Sequence, residues 1–484
     1  VQNANVTTAE DDPSKAQPLS DAELDAAFSF MLDALKMTHS SRSEAANKGV
    51  AQARLPLLLA VSGGADSVSL MVLCHEWVER NKLPISLFIA SVDHRLRPEA
   101  ADECAYVGKL AQVRGMDHAT LVWDEEKSHS NLQGEAREAR YRLLSEHAHS
   151  LGCAHIVIAH HQDDQAETLL MRLIRGSGVT GLAAMRPQQA CGAVTLLRPL
   201  MAFPKARLKA SLKARSIDWF EDPSNQSPNY MRVRVRSLLP VFAQEGCDSA
   251  RLAATARRLQ RADQALDEIA YGFYLRHIAS EPGRSLSVSL ISLQDQSEEI
   301  RLRLLRMMIA HVVASAYPPR EEKLLTLDAA LGGEGLLEKR MKRTVAGCCF
   351  EVLAKRLWVY REPGRNRQEI ALEGPCEVNW QGLYSVKISG AFAGDVMGGE
   401  RSDILLRPLG EDGRTLLSKE GLSFPEQGWS GESGPKGILE ALPSVWCDGR
   451  PQFVVDWPKV EVVEDFHVEF EEKHSNFDAN ETLE

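Results

Sequence analysis

The sequence predicts an α/β fold with a doubly wound, mostly parallel sheet, followed by a mainly helical domain and a small β-rich C-terminal domain. Three observations carry this. Apolar runs of strand length at 55–61, 85–92 and 155–159 each end in a polar or charged cluster and alternate with stretches of helical periodicity, the pattern of βα units. From 250 to 331 apolar residues recur at helical spacing, as in Ile300-Arg-Leu-Arg-Leu-Leu-Arg-Met-Met-Ile309. Beyond a Pro/Gly/Arg linker at 361–367, short strand-like segments alternate with glycine turns.

Composition narrows the class. With 484 residues the chain can bury a large core in about two to four domains. The composition shifts divide it into a disordered tail at 1–22, a first domain at 23–245, a second at 246–365, a third at 366–462 and an acidic tail at 463–484. A net charge of -11 argues against a general nucleic-acid binder and leaves room only for local basic surfaces. Nine cysteines without a Cys-x-x-Cys pair or a zinc-like Cys/His spacing fit a reducing compartment. Residues 1–19 lack a basic start and an apolar core, and no apolar run reaches membrane-spanning length, so the expectation is a cytoplasmic protein with no membrane contact.

In chain order, 24–37 is spaced as a helix and 40–53 is a polar connector. The first strand then runs into Ser62-Gly63-Gly64-Ala65-Asp66-Ser67 and directly into an apolar helix. Strand, glycine turn and helix make an anion site: the backbone approaches closely, the helix offers unpaired N–H groups, and both serines can donate to phosphate. Asp66 repels phosphate unless a cation lies between them, which makes it a candidate Mg²⁺ ligand. No Gly-Lys-Ser/Thr follows, so this is not a Walker loop, and the dinucleotide spacing is absent.

The second strand ends in Asp93-His94-Arg95-Leu-Arg97, at the carboxyl edge where ligands of open α/β sheets bind. A helix at 99–114, a short strand at 118–122 and a helix opening at Asn131 follow, the last carrying Arg137, Arg140 and Tyr141. The third strand enters His160-His161-Gln162-Asp163-Asp164-Gln165-Ala166-Glu167. Residues three and four apart share a helical face, so His160, Asp163, Asp164 and Glu167 can converge on one ligand, either Mg²⁺ or the ammonium of an amine. One acid would serve as an N-terminal cap; three acids and a histidine exceed that need, and the histidine is a candidate proton acceptor. Arg175-Gly176-Ser177-Gly178-Val-Thr-Gly181-Leu182 matches Gly-x-Gly-x-x-Gly but follows a helix, so it reads as a flexible closing loop.

From Lys205 onward basic residues dominate an otherwise acidic chain, including Arg207, Lys209, Lys213, Arg215, Arg251, Arg257, Arg258 and Arg261. Arg232-Val-Arg234-Val-Arg236 alternates, which would align three arginines along an extended segment and favours a polyanion larger than a nucleotide. Residues 344–353 and 357–360 read as a hairpin.

The Ser62–Ser67 string resembles the PP-loop ATP pyrophosphatases, with their adenine nucleotide alpha hydrolase-like fold. The ordered series of that loop, Asp93-His94, 131–141, His160-x-x-Asp-Asp-Gln-Ala-Glu167, Arg175-Gly-x-Gly-x-x-Gly-Leu182, Arg198-Pro-Leu and Asp222-Pro-Ser-Asn225 is similar to the tRNA(Ile)-lysidine synthetases, strongly over 55–245 and weakly over 246–460. The resemblance implies a ligase that uses ATP and Mg²⁺ to adenylate the wobble cytidine of an isoleucine tRNA with anticodon CAU, then joins free L-lysine to C2, releasing AMP and pyrophosphate. It implies ATP binding by Ser62, Gly63, Gly64, Ala65, Asp66, Ser67, Asp93 and His94, with Asp66 on Mg²⁺. Lysine would meet Asp164, Glu167 and Arg140, and Asp66, His160, Asp163, Asp164 and Glu167 would be catalytic. Arg175, Arg198, Arg232, Arg234 and Arg236 would bind tRNA, as would the second and third domains. Many relatives carry asparagine where this chain has Val233, which leaves the individual arginine roles open. The oligomeric state is also open, with a homodimer as one option. Two rival readings are a PP-loop tRNA thiolase, which needs cysteine chemistry that the motifs lack, and a non-catalytic tRNA-binding relative, which would not need Asp66, Asp164 and Glu167.

Overall fold

The computed structural model describes residues 16–43, 54–97, 99–125, 132–221, 231–313, 319–333, 335–336, 340–364, 368–372, 376–381, 383–390, 404–419, 434–447, 449–455 and 466–472. The chain divides into two units, Val1–Asp263 and Gln264–Glu484. The first contains α1 (Asp21–Ser43), β1 (Leu55–Ala60), α2 (Ala65–Arg80), β2 (Ile85–Asp93), α3 (Glu99–Val113), β3 (Asp117–Val122), α4 (Leu132–Ser150), β4 (His155–Val157), α5 (Gln162–Ile174), α6 (Val179–Leu182), β5 (Gln188–Cys191), β6 (Val194–Leu197), α7 (Lys205–Lys213), α8 (Met231–Gln244) and α9 (Ser249–His277), within which the division falls.

The sheet runs β3-β2-β1-β4-β6-β5, parallel throughout except for the β5–β6 pair. A parallel sheet needs both faces covered, and β1 shows why this sequence complies. Leu57 and Leu59 pack into one core with Val68, Leu70 and Met71 of α2, while Leu58 enters a second core with Leu144, Ala148 and Ile156. Alternate side chains leave a strand on opposite faces, so an unbroken leucine run suits a two-sided burial. The strand order reverses between β1 and β4, which places the segments leaving their carboxyl ends side by side.

Helix α1 forms on a stripe of Leu24, Phe28, Met31 and Leu35, all buried, with Phe28 edge-on to Trp77 of α2 at 5.3 Å. Burying each such side chain contributes roughly 1.5–3 kcal/mol. Ion pairs fix its start: Arg80 meets Asp21 at 2.6 Å and Asp25 at 2.5 Å, and Arg207 of α7 meets Glu23 at 2.6 Å. The Arg207 hydrogen bond, helped by the Ser20 backbone N–H, takes the Glu23 carboxyl from its ordinary 4.5 down to about 2. A depressed carboxyl stabilises the fold above its unfolded value and loses that contribution as pH falls through the folded one. Glu23→Gln should therefore lower urea stability at pH 7 relative to the unaltered chain, and the gap should close between pH 4.5 and about 2. A gap that persists at pH 2 would detach Glu23 from this clasp.

The second unit contains β7 (Ala279–Glu281), β8 (Ser285–Ser289), α10 (Leu290–Gln294), α11 (Glu298–Val313), α12 (Glu321–Leu331), β9 (Met341–Val345), β10 (Cys348–Leu353), β11 (Arg356–Arg361), β12 (Ile370–Ala371), β13 (Cys376–Trp380), β14 (Tyr384–Gly390), β15 (Ile404–Pro408), α13 (Gly410–Lys419), α14 (Lys436–Ala441), β16 (Pro443–Cys447), β17 (Arg450–Val454) and β18 (Phe466–Glu472). Its sheets are ordered β7-β8-β11-β10-β9, β12-β15-β16-β17 and β13-β14-β18. The helical middle and β-rich end match the fold class read from the sequence.

Five local readings need correction. Residues 232–236 are helical, in α8, rather than extended. Met231, Val235 and Leu239 recur every four residues and pack on Ala166, Leu169 and Leu170 of α5, and that burial decides the conformation. The glycine run after α5 is no open loop: it forms α6, tied down by Arg172 to the Gly181 carbonyl at 2.8 Å and by Thr180 to Asp263 at 2.7 Å. The helical stretch at 250–331 is interrupted by β7 and β8, because Ser285-Leu-Ser-Val-Ser289 has a period of two and Gly283, at φ +66, supplies a turn. Residues 344–353 are not one strand, since Ala346 and Gly347, at φ +51 and +85, turn β9 back against β10. Within the expected acidic tail, 466–472 pairs with β14 as β18; Phe466, Val468 and Phe470 alternate with polar residues, a strand pattern hidden by the acidic composition. The expectations for 1–15, 222–225 and 473–484 lie outside the described residues. Among the described residues no helix is long and apolar enough to cross a membrane.

Candidate active site

The segment between β1 and α2 is built as an anion cradle. Gly63 has φ +87, a conformation that strains any residue with a side chain, and a Cβ there would press on the Glu103 Cβ at 3.3 Å. Gly64 begins α2 without a side-chain cap, leaving the first N–H groups of the helix for a ligand. The two serine hydroxyls lie 3.2 Å apart, and the Ser67 hydroxyl accepts the Ser62 N–H at 3.1 Å. Phe220 donates its N–H to the Gly63 carbonyl at 3.0 Å and braces the loop from outside.

Asp66, in the first turn of α2, faces a lysine ammonium and an imidazole. Its Oδ2 lies 2.7 Å from Lys205 Nζ and 3.6 Å from His161 Nε2. Burial alone would raise its pKa, but the His161 hydrogen bond and the charges of His161 and Lys205 outweigh it, and the carboxyl falls to about 2. Its other oxygen, Oδ1, is buried without a hydrogen-bond partner. A buried carboxylate oxygen at the mouth of a phosphate cradle fits a Mg²⁺ ligand, an ion that usually takes one or two carboxylates and completes its shell with phosphate and water. Among the described residues no group of three or more His, Cys, Asp or Glu side chains forms a self-sufficient metal cage.

Because β4 neighbours β1, the start of α5 lies beside this loop. His161 caps α5 reciprocally with Asp164: the Asp164 N–H reaches His161 Nδ1 at 3.3 Å and the His161 N–H reaches Asp164 Oδ2 at 3.0 Å. Burial disfavours charge on His161, yet Asp164, Asp66 and Asp163 together raise its pKa above the ordinary value. Asp163 accepts the Lys205 backbone N–H at 2.9 Å, at the start of α7, where Pro204 provides no side-chain cap.

Glu167, one turn further along α5, is 1% exposed and fully engaged. Arg232 Nε meets its Oε2 at 2.6 Å, Arg236 Nε meets its Oε1 at 2.6 Å, and Arg232 also reaches Asp164 at 3.1 Å. The spacing of 232 and 236 places both arginines on one face of α8, opposite the acids of α5. Arg234 is exposed, as is Arg175 at the end of α5.

Arg198, expected to meet tRNA, is buried at 3% exposure. Its guanidinium donates to His160 Nδ1 at 3.1 Å, to the Arg186 carbonyl at 2.8 Å and to Gln189. Burial first, and the Arg198 charge next, hold His160 well below its ordinary pKa. A neutral imidazole that accepts at Nδ1 carries its proton on Nε2, so His160 is a hydrogen-bond donor rather than a proton acceptor. Arg140 is also spoken for, donating to His94 Nε2 at 3.1 Å. The expected lysine-carboxylate group and the expected nucleotide group are therefore in contact. Beyond the end of β2, an open cavity of about 380 Å³ is lined by Asp93, Arg95, Leu96, Arg97 and Ala101.

The structure thus gathers Asp66, Asp163, Asp164 and Glu167 into one region, and Asp93 and His94 at the end of β2 and Arg140 on α4 belong to the neighbouring strand and helix. Sequence reasoning passed over His161 and Lys205. His161 was legible as a residue flanked by the motif acids; Lys205 was not, since 139 residues separate it from Asp66.

A family model described as a PP-loop domain matches residues 36–242. The chain is 40% identical over 318 residues to a tRNA(Ile)-lysidine synthase of Rhodopseudomonas palustris, covering 64% of this chain and 91% of that protein. It is 35% identical over 388 residues to a tRNA(Ile)-lysidine synthase of Ruegeria pomeroyi, covering 80% and 85%. Among solved structures, the U34-tRNA thiolase NcsA of Methanococcus maripaludis aligns at 17% identity with a TM-score of 0.38, over 47% of this chain and 78% of that one, too slight a likeness to argue from. On the strength of the long, high-coverage matches, this chain belongs to the tRNA(Ile)-lysidine synthase family.

Proposed function

We propose that the protein joins L-lysine to C2 of the wobble cytidine of an isoleucine tRNA with anticodon CAU, consuming ATP. In the first half-reaction the cytidine C2 oxygen attacks the α-phosphorus of ATP and pyrophosphate leaves. In the second, the lysine amine attacks C2 and AMP leaves. The N–H groups at the start of α2, with Ser62 and Ser67, receive the pyrophosphate end. Asp66 is the residue that would hold Mg²⁺, which when bound offsets the negative charge of the phosphates. Asp93, His94 and the cavity beyond β2 suit the adenylate end.

One observation carries the reading: a phosphate cradle and a set of carboxylates able to bind ammonium adjoin each other, linked by His161 and Lys205. An amine nucleophile arrives as ammonium and must lose a proton, so Asp164 and Glu167 suit its binding and Asp163 or Asp164 its deprotonation, with His160 donating from Nε2. Arg175 and Arg234 are exposed cations suited to RNA phosphate.

Sulfur transfer is disfavoured at the buried cysteines of the first unit, with Cys191 and Cys247 half-buried. Burial raises the Cys74 thiol to about 12, burial followed by the nearby acids Asp93 and Glu103 raises Cys104 to about 11, and Cys153 is buried. Incubation with ATP, labelled lysine and CAU-anticodon tRNA should release pyrophosphate only when both ATP and tRNA are present, and should place label in the RNA. Entry of sulfur without lysine would overturn the assignment.

A further inference from the structure

Three cations project from the first turns of α7, and two are committed away from the phosphate cradle. Arg207 pairs with Glu23 of α1 at 2.6 Å, and Lys209 pairs with Glu221 at 2.6 Å. Lys205 alone of the three is turned to the cradle, with its ammonium on Asp66 and its backbone N–H on Asp163. Asp163 thus anchors the root of the side chain, and the flexible four-carbon stem spans to the loop that Gly63 and Gly64 shape. The Lys205 side chain is 39% exposed, so it can turn without unpacking a core.

We propose that Lys205 is a pyrophosphate-binding residue that neutralises Asp66 before nucleotide arrives and then transfers its ammonium to the phosphate oxygens. This rests on the reading of Ser62–Ser67 as the pyrophosphate cradle. The charge balance requires such an exchange. The phosphate oxygens would otherwise meet the Asp66 carboxylate with only His161 to offset it, since Arg232 is held by Asp164 and Glu167. A divalent cation arriving with the nucleotide competes with the ammonium for Asp66, and the phosphate offers the displaced ammonium a new charge-assisted partner. Lysine suits this better than arginine, being a compact point charge on a mobile stem rather than a planar fork.

The proposal makes two affinities move in opposite directions. In Lys205→Met, Mn²⁺ binding to the nucleotide-free protein, followed by electron paramagnetic resonance, should tighten, because the competing ammonium is gone. Binding of inorganic pyrophosphate with Mg²⁺, followed by calorimetry, should weaken about tenfold or more, the scale of one charge-assisted hydrogen bond. Lys205→Arg should recover at least part of the pyrophosphate affinity. A residue that merely supports the loop would weaken both ligands or neither. Equal pyrophosphate affinity in Lys205→Met and the unaltered protein would overturn the role of Lys205 while leaving the cradle intact. Failure of the unaltered protein to bind pyrophosphate would overturn the cradle reading and this proposal together. Should Lys205→Met fold poorly, Lys205→Gln takes its place in the same two measurements.

Discussion

In Glu167→Ala, pyrophosphate release in the presence of ATP and tRNA should continue at a substantial fraction of the normal rate, while lysine transfer should fall about a hundredfold, the scale of losing one partner of a buried, hydrogen-bonded charge pair. The two half-reactions separate because Glu167 lies on α5, a turn beyond the acids that reach the phosphate loop. The same variant should be less stable. Glu167 is 1% exposed and takes Arg232 and Arg236 at 2.6 Å each, so its removal strands two guanidinium groups beside Asp164. Breaking such a pair typically costs about 3–5 kcal/mol, and the partial hydration of both arginines puts this case at the lower end. The arginines occupy both carboxylate oxygens, so a lysine ammonium has to share or displace them. Lysine binding measured with and without tRNA therefore bears on the assignment as strongly as the rate does. Equal loss of both half-reactions in a folded Glu167→Gln variant would reject Glu167 as a lysine ligand and leave it as an anchor for α8.

How much of this was legible beforehand follows from the range of each interaction. The segment from Leu55 through Met71 was readable because strand, turn and helix are contiguous and each is fixed by local chemistry: two-sided burial of Leu57, Leu58 and Leu59, a positive φ at Gly63, and an uncapped helix start. The acids of α5 were readable for the same reason, as spacing on one helix. The arginines at 232–236 were misread because five residues satisfy two periods at once; only the longer window with Met231 and Leu239 shows the four-residue repeat that packs against α5. Arg198 was assigned to tRNA through the resemblance of Arg198-Pro-Leu, and a motif says nothing of burial; three internal acceptors offset part of the cost of burying its guanidinium. The partners of Asp66 and Glu23 lie on α7, 139 and 184 residues away, and no spacing rule reaches that far. What made the sheet order informative was the adjacency of β1 and β4, which turns two separate motifs into one region.

Asp66→Asn should abolish adenylation, by about a thousandfold or more, with a moderate loss of stability at pH 7. The contrast with Glu167 comes from how each carboxylate is used. Both oxygens of Glu167 are paired, whereas Asp66 has a buried Oδ1 without a hydrogen-bond partner, and an unsatisfied buried polar atom costs about 1–3 kcal/mol in the folded chain. Replacing the charge with an amide relieves part of the burial cost but forfeits most of the attraction to Lys205 and His161, and because that attraction outweighs burial at Asp66 the net change in a thermal melt at pH 7 is a loss, smaller than at Glu167. The pH dependence separates this group from its neighbours. The Asp66 carboxyl is depressed from 3.8 to about 2, so it stays ionised above pH 3.8 and loses its charge only as pH falls through about 2. Its neighbour His161 has a raised pKa, so its charge is fully present below the ordinary 6.5 and is lost as pH rises through the higher folded value. A His161 titration, followed by NMR, that moves down in Asp66→Asn would tie the two together, since removing the carboxylate removes one of the charges that raise His161. A variant that releases pyrophosphate at the normal rate would sink the metal-holding role, and one that melts far below the unaltered chain would make Asp66 a structural residue instead.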